Sequence, residues 1–377
     1  MKPIRISVLI LCAAFVSVAW GQQPGCKFSP LWAEFHKHNM MRWNRCENVL
    51  SVHNVSNLAL KWSYTTGGEI ANLISPTVAN GVVYVTSYDG MLYALDAHTG
   101  AMLWSYDIGF SVSSPAIVHG VVYVGAGDNN VYALNAITGA KLWSYLTGDS
   151  VYSSPAVVKG MVFVGSGDLN VYALEANTGA ELWRFRTNGL VYSSPAVENG
   201  VVYVGSYDGN LYALDAKTGA YRWSYDTGNY VDSSPAVAKG VVYFGSDNFN
   251  VYALNASTGA KLWSYNAGDY VDSSPAVMNG VVYVGCHNGN VYALDASTGT
   301  MLWSYLTGDA VLSSPAVANG VVYVGSWDNN VYALNASTGA KLWSYTTGSH
   351  VGSSPTVSNG VIYVGSFDNK LYAFGLN

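Results

Sequence analysis

Three aspartates and one histidine are the residues whose types and spacing offer chemistry. Asp232 and Asp272 stand 40 residues apart, and so do Asp247 and His287. Carboxylates from two equivalent places can share a cation with backbone carbonyls, although an oxygen cage for Ca²⁺ wants about six to eight ligands. His287 beside Asp247 would make an acid–base pair. At the positions equivalent to Asp247 and His287 stand Tyr88, Tyr207, Trp327 and Phe367, whose ring faces suit sugars or apolar peptide side chains. Lys370 is the only cation among the equivalent turn positions, and no Ser-His-Asp order, phosphate loop or clustered metal ligands accompany the set. The chemistry on offer is therefore aromatic and acidic: it accepts and it stacks.

The shared spacing comes from a repeat that must position these residues. The pattern of ALDAKTGAYRW, Ala213 to Trp223, occurs seven times in all with its Ala, Thr-Gly and Trp in register. An eighth Trp precedes the first full copy, so the series runs Trp62, Trp104, Trp143, Trp183, Trp223, Trp263, Trp303 and Trp343. A period of about 40 residues with strand-like content is that of a propeller blade. Each copy holds four strand candidates, clearest in Ser193–Gly200, Val201–Asn210, Leu211–Gly219 and Ala220–Gly228, divided by Asn-Gly, Asp-Gly or Thr-Gly turns.

The first strand carries Pro in every copy, from Pro76 to Pro355, which places it at a sheet edge lining a channel. The second, Val-Val-Tyr-Val, is apolar on both faces, as a strand between neighbouring blades must be. The Trp opens the outer strand, where splaying blades need a large side chain. The last copy stops after its third strand, and the orphan Leu60–Tyr64 supplies the fourth. The expected fold is all-β: an eight-bladed propeller over 59–377, closed by an N-terminal strand.

Antiparallel blades put the near-invariant Asn-Gly and Thr-Gly turns at one end. At the other end lie the positions that differ between copies. They comprise the second-to-third-strand turns already named and the blade links Tyr152, Tyr192, Asp232, Asp272, Leu312 and Gly352, with Tyr230, Tyr270 and His350 two residues earlier. Variation there marks freedom from framework constraint. A face adapted to a ligand and drift of unheld loop residues both produce it.

Residues 1–21, with Lys2 and Arg5 before an apolar run and Ala19-Trp20-Gly21 after it, have the pattern of a signal peptide. The mature chain is then expected to be exported, without a membrane span, and monomeric. Within the non-repeat segment 22–58, Ser29-Pro30 starts a short helix, and the segment should pack across the outside or one end of the ring. Cys26 and Cys46 flank this segment, and export permits a disulfide closing a loop of about 20 residues, worth roughly 3 kcal/mol. Cys286, standing where other copies have Ser, is expected to be packed. His36, His38 and His53 have no carboxylate or Cys pattern to complete a metal site. A net charge of -6 with 11% charged residues argues against nucleic acid or an anionic membrane surface as partner.

The unit Ala-x-Asp/Asn-x-x-Thr-Gly-x-x-x-Trp resembles the tryptophan-docking motif of quinoprotein propellers, the pyrroloquinoline quinone (PQQ) repeat family, over all eight blades. Glu47 to Tyr64 is similar to that family's approach to its first blade. The resemblance implies either a dehydrogenase holding PQQ and Ca²⁺ or a non-catalytic propeller of the BamB kind. The enzymes resemble longer chains with inserted lids and often an adjacent Cys-Cys pair, and this sequence has neither. A tricarboxylate cofactor also wants Arg or Lys, which the variable end lacks. The leading expectation is therefore an exported, non-catalytic binding or assembly scaffold with a protein or glycan ligand and no cofactor. Its contacts would be Tyr88, Tyr207, Asp232, Asp247, Asp272, His287, Trp327 and Phe367. Under the dehydrogenase alternative Trp327 would stack on PQQ, and Asp272 or Asp232 would hold Ca²⁺ or act as base. A further alternative is a BamB-like component of outer-membrane assembly.

Overall fold

The computed structural model describes residues 42–44, 46–70, 72, 74–110 and 113–377. Eight blades, each of four antiparallel strands, follow one another around a ring, and the seventh gains a fifth, parallel strand at its inner edge. Blade 4 shows the plan with Ala196–Glu198, Val201–Gly205, Asn210–Asp215 and Tyr221–Asp226, innermost to outermost. Asn199 and Gly200 both take positive φ, 50° and 77°, which is the two-residue turn that matches strand twist. Every residue of Val201–Gly205 is buried, whereas in the outer strand only Trp223 is. The proline is not in the ladder as expected from the sequence. Pro195 immediately precedes the three-residue inner strand, so its missing N–H costs no pairing.

Trp does not open the outer strand either. Trp223 is the third residue of Tyr221–Asp226, opposite a register shift at Ala213 and Leu214. Its equivalent in blade 3, Trp183, donates from Nε1 to the carbonyl of Ala216 in blade 4 at 3.0 Å. A Cβ on Gly219 would meet that indole at 2.7 Å, so the Thr-Gly turn needs glycine for the next blade's contact as well as for its φ of +71°. The Trp is a blade-to-blade latch.

The ring closes as the sequence implies. Leu58–Thr65 pairs antiparallel with Lys370–Leu376, completing blade 8. Trp343 donates to Leu58 O and Trp62 to Ala97 O, both at 3.1 Å, so the latch continues unbroken from blade 7 to blade 8 and on to blade 1.

A second ring runs around the channel. In Ser-Ser-Pro the backbone N–H of the second Ser donates to the hydroxyl of its counterpart one blade on. The series passes from Ser75 to Ser114, Ser154, Ser194, Ser234, Ser274, Ser314 and Ser354 at 2.7–3.0 Å. Ser354 N–H closes it on Ile74 O at 3.1 Å. These bonds hold the blade links, and with them the variable end.

The sequence places the non-repeat segment across the outside or one end; the structure takes part of it inside. Trp43–Asn44 pairs in parallel with the inner strand Ala316–Ala318 of blade 7, filling an edge that faces the channel. Arg42 is fully buried, with Nε on Pro315 O and an Nη on Pro355 O, both at 2.9 Å, and burial lowers its pKa to about 9. Beyond it, Glu47 accepts from the N–H groups of Val49, Leu50 and Gly360, and Leu50 O accepts from Asn319. The segment thus covers the turn end of blades 7 and 8. Cys46 is disulfide-bonded. The expected signal peptide, the helix after Ser29, Cys26, His36 and His38 lie outside the described residues. His53 is exposed, and Cys286 is fully buried with its thiol pushed up to about 11 by burial.

Candidate functional site at the variable mouth

Seen around the channel, the variable end divides into three arcs. The first is aromatic. Tyr152 meets Tyr192 at 4.9 Å between ring centroids, Tyr192 meets Tyr207 at 5.0 Å, and Tyr207 stacks on Tyr230 at 4.6 Å and 10°. Tyr88 packs on Phe110 at 4.7 Å. The last arc, on blades 7 and 8, joins Trp327, His350 and Phe367. Trp327 stacks on His350 at 5.4 Å, and its Nε1 donates to Asn72 Oδ1 at 3.3 Å.

Between them, on blades 5 and 6, the three aspartates converge. Asp232 lies beside Tyr207, and the charge of Asp272 bears on both Asp232 and Asp247. Like charges held close disfavour ionisation of both. Burial first, and the charge of Asp272 second, push Asp232 and Asp247 far above the usual carboxylate range, toward neutrality. One oxygen of each of Asp232, Asp247 and Asp272 has neither solvent contact nor a hydrogen-bond donor. His287 Nε2 lies 2.7 Å from an oxygen of Asp272, which raises the imidazole above its ordinary value. The histidine's partner is therefore Asp272 and not the expected Asp247, because link and turn of the same blade fold onto each other.

Of the eight residues singled out in the sequence, Tyr207, Asp232, Asp247, Asp272 and His287 form one cluster. Trp327 and Phe367 form another, and Tyr88 stands apart from both. The sequence reading missed a change in the supporting turns. In blade 4, Asp208 accepts from Tyr212 at 2.7 Å and from Asn188 N–H at 2.9 Å across the blade boundary. Blades 5 and 6 carry Asn248 and Asn288 there, which donate instead to Thr227 O and Ala267 O. Two framework carboxylates are thus absent where three others crowd the mouth. The signal was visible in the aligned copies but acquires meaning only with the cluster beside it.

Tyr207 and Tyr230 also wall an open groove of about 340 Å³, whose other sides are Asp208, Asp226 and Asn229. Among the described residues, no three His, Cys, Asp or Glu groups stand in an arrangement that could hold a metal ion. No helix among them is long and apolar enough to cross a membrane.

Comparison with known proteins places this architecture. The chain is similar to the Pseudomonas putida quinoprotein alcohol dehydrogenase PedH at 37% identity, over 16% of this chain and 10% of that protein. It thus matches only about a tenth of the length of that curated relative. Among solved structures, a quinohemoprotein alcohol dehydrogenase from Pseudomonas putida HK5 superposes with TM-score 0.81 at 20% identity, over 92% of this chain and 80% of that one. BamB from Moraxella catarrhalis superposes with TM-score 0.73 at 21% identity, over 84% and 99%. At such identities the superpositions speak for the fold alone. The family model described as outer membrane protein assembly factor BamB matches residues 49–151, 147–269, 227–319 and 307–376. With matches spanning nearly the whole ring, the chain belongs to that family of PQQ-like repeat propellers.

Proposed function

We propose that this protein is an exported binding scaffold that takes a ligand at the variable mouth between blades 4 and 6 and performs no chemistry on it. The observation that carries the reading is the character of the mouth. Its polar groups are carboxylate acceptors and tyrosine rings on blade links that the serine hydrogen bonds hold in place. The turns and links of blades 4 to 6 offer a tricarboxylate such as PQQ acceptors and no Arg or Lys, and the residues present therefore do not fit that cofactor. Outer-membrane protein assembly, the role in the family's description, would be one specific form of such a scaffold.

The local likeness to quinoprotein dehydrogenases makes the competing reading concrete. Purified protein titrated with PQQ and Ca²⁺ tests it, with quinone absorbance and dye-linked alcohol oxidation as readouts. The scaffold reading expects neither stoichiometric uptake nor turnover. Turnover that disappears in Asp272→Asn would overturn it.

A further inference from the structure

We propose that the groove between blades 4 and 5 is a glycan site that takes a pyranose unit of an equatorially linked chain, its C–H face on Tyr230 and its hydroxyls on Asp226. The proposal rests on the scaffold reading and names its ligand class. A turned-over peptide shapes the groove. In the ordinary blade link the residue after the Thr sends its N–H to an Asp of the next blade. Gly148 donates to Asp168, Gly308 to Asp328 and Gly348 to Asp368, at 2.7–2.8 Å. Blade 5 carries Asn248 in that place, and its amide donates to Thr227 O. A donor stands where the other blades have an acceptor, so the Thr227–Gly228 peptide turns its oxygen to blade 5 and Gly228 takes a φ of +83°. Gly268 repeats the turn at +89° where Asn288 donates to Ala267 O. The released Gly228 N–H goes to Asp226 Oδ1 at 2.8 Å.

Asp226 and Gly228 line the groove together with Tyr207 and Tyr230, and its volume of about 340 Å³ lies at the lower end of small-molecule sites. Tyr230 is the platform. Its ring is 48% exposed, yet it is fixed in place: it lies parallel on Tyr207 at 4.6 Å, and its N–H goes to Asn229 Oδ1 at 2.9 Å. Its carbonyl accepts from Asp247 N–H at 3.0 Å, and Asn229 Nδ2 donates to Asp247 O at 3.0 Å. A ring already held this way loses little freedom when a ligand covers it.

The two carboxylates of the groove differ. Asp208 is taken by the frame, since it accepts from Tyr212, Asn188 and Asn210. Asp226 is exposed, and among the described residues its carboxylate accepts Gly228 N–H alone, which leaves its second oxygen for a ligand. One fixed ring face beside one open acceptor suits a neutral polyol with a C–H face and O–H donors at its edge. An equatorially linked pyranose chain has that form, because its axial C–H groups make flat faces and its hydroxyls lie at the rim. A metal ion would find too few ligands in one open carboxylate. An ammonium gains little from a single carboxylate open to water.

Isothermal titration of the full chain with cellotetraose tests the assignment, and saturable binding at one site is expected. Tyr230→Ala should weaken it by about tenfold or more, whereas Tyr230→Phe keeps the ring and should bind within about threefold of the parent. Asn248→Asp should also cost about tenfold, because a carboxylate there draws the Gly228 N–H away from Asp226. Blades 3, 4, 7 and 8 carry Asp at that place and bond it to a tyrosine hydroxyl, so this variant should melt near the parent temperature. No saturation at about 10 mM cellotetraose, indifference to Tyr230→Ala, or unchanged affinity in a folded Asn248→Asp would each overturn the glycan site. Should Asn248→Asp fail to fold, the two Tyr230 variants decide alone. Failure of cellotetraose without quinone turnover removes this inference alone, whereas quinone turnover removes the scaffold reading beneath it.

Discussion

The two ends of the channel are built from the same eight copies, yet they use polar groups in opposite ways. At the turn end, the N-terminal segment meets donors and acceptors of blades 7 and 8. Glu47 takes Gly360 N–H, Asn44 gives to Val357 O and Asn319 gives to Leu50 O. Deeper in the channel the Arg42 guanidinium is spent on carbonyl oxygens of blades 7 and 8. At the mouth, three carboxylates keep unmatched oxygens within a few residues of the fully bonded serine ring. Closure accounts for the first end; the second end stores polar groups that folding does not need.

The sharpest way to break this comparison is at Arg42. Arg42→Ala removes a buried side chain and strands the carbonyls of Pro315 and Pro355, so a loss of about 2–4 kcal/mol is expected in denaturant unfolding. A loss under about 0.5 kcal/mol, the size of an ordinary surface change, would show that the plug does not hold the ring.

Next in size is the pH response of the mouth. Asp232 and Asp247 keep their protons to higher pH folded than unfolded. Their contribution to stability is therefore complete near about pH 4 and lost as pH rises through neutrality. His287, also raised, adds in the same direction: its share is complete below its ordinary 6.5 and lost above the folded value. The melting temperature should fall between pH 5 and 9, and Asp247→Asn should flatten the fall by on the order of 1–3 kcal/mol. An unchanged slope in that variant would place the titrating groups elsewhere.

The smallest effect separates two tyrosines of the second strands. Tyr283 donates to Ala336 O at 3.0 Å, whereas the Tyr323 hydroxyl is buried without a partner among the described residues. Blade 3 carries Phe163 at the equivalent place. Tyr323→Phe should change stability by less than about 0.5 kcal/mol, and Tyr283→Phe should cost about 1 kcal/mol. Equal losses in calorimetry would mean that the unmatched hydroxyl finds a donor or acceptor near the plug.

Legibility followed the source of each constraint. Blade number, the closing strand at Leu58–Thr65 and the turn chemistry at Asn199-Gly200 are local or periodic, and period and turn residues can be read along one chain. The pairing of Trp183 with Gly219 was half visible. Both residues recur in every copy, but their contact crosses blades, so the glycine reads as an ordinary turn until the indole is seen against it. Arg42 carried no signal, because it lies outside the repeat and its partners are backbone carbonyls that have no side-chain identity. At the mouth, the candidate residues could be named from their spacing but not sorted. Only the folded ring brought Asp247 against Asp272 and turned His287 to Asp272.

By itself, then, the sequence determined the propeller, because a repeat that cannot bury its faces alone must stack on its neighbours and close. Tertiary structure decided which carboxylates lie together, which rings stack and where the N-terminal segment goes. Those outcomes depend on distances between blades and on the exclusion of water, and neither quantity is written in the order of residues along one strand.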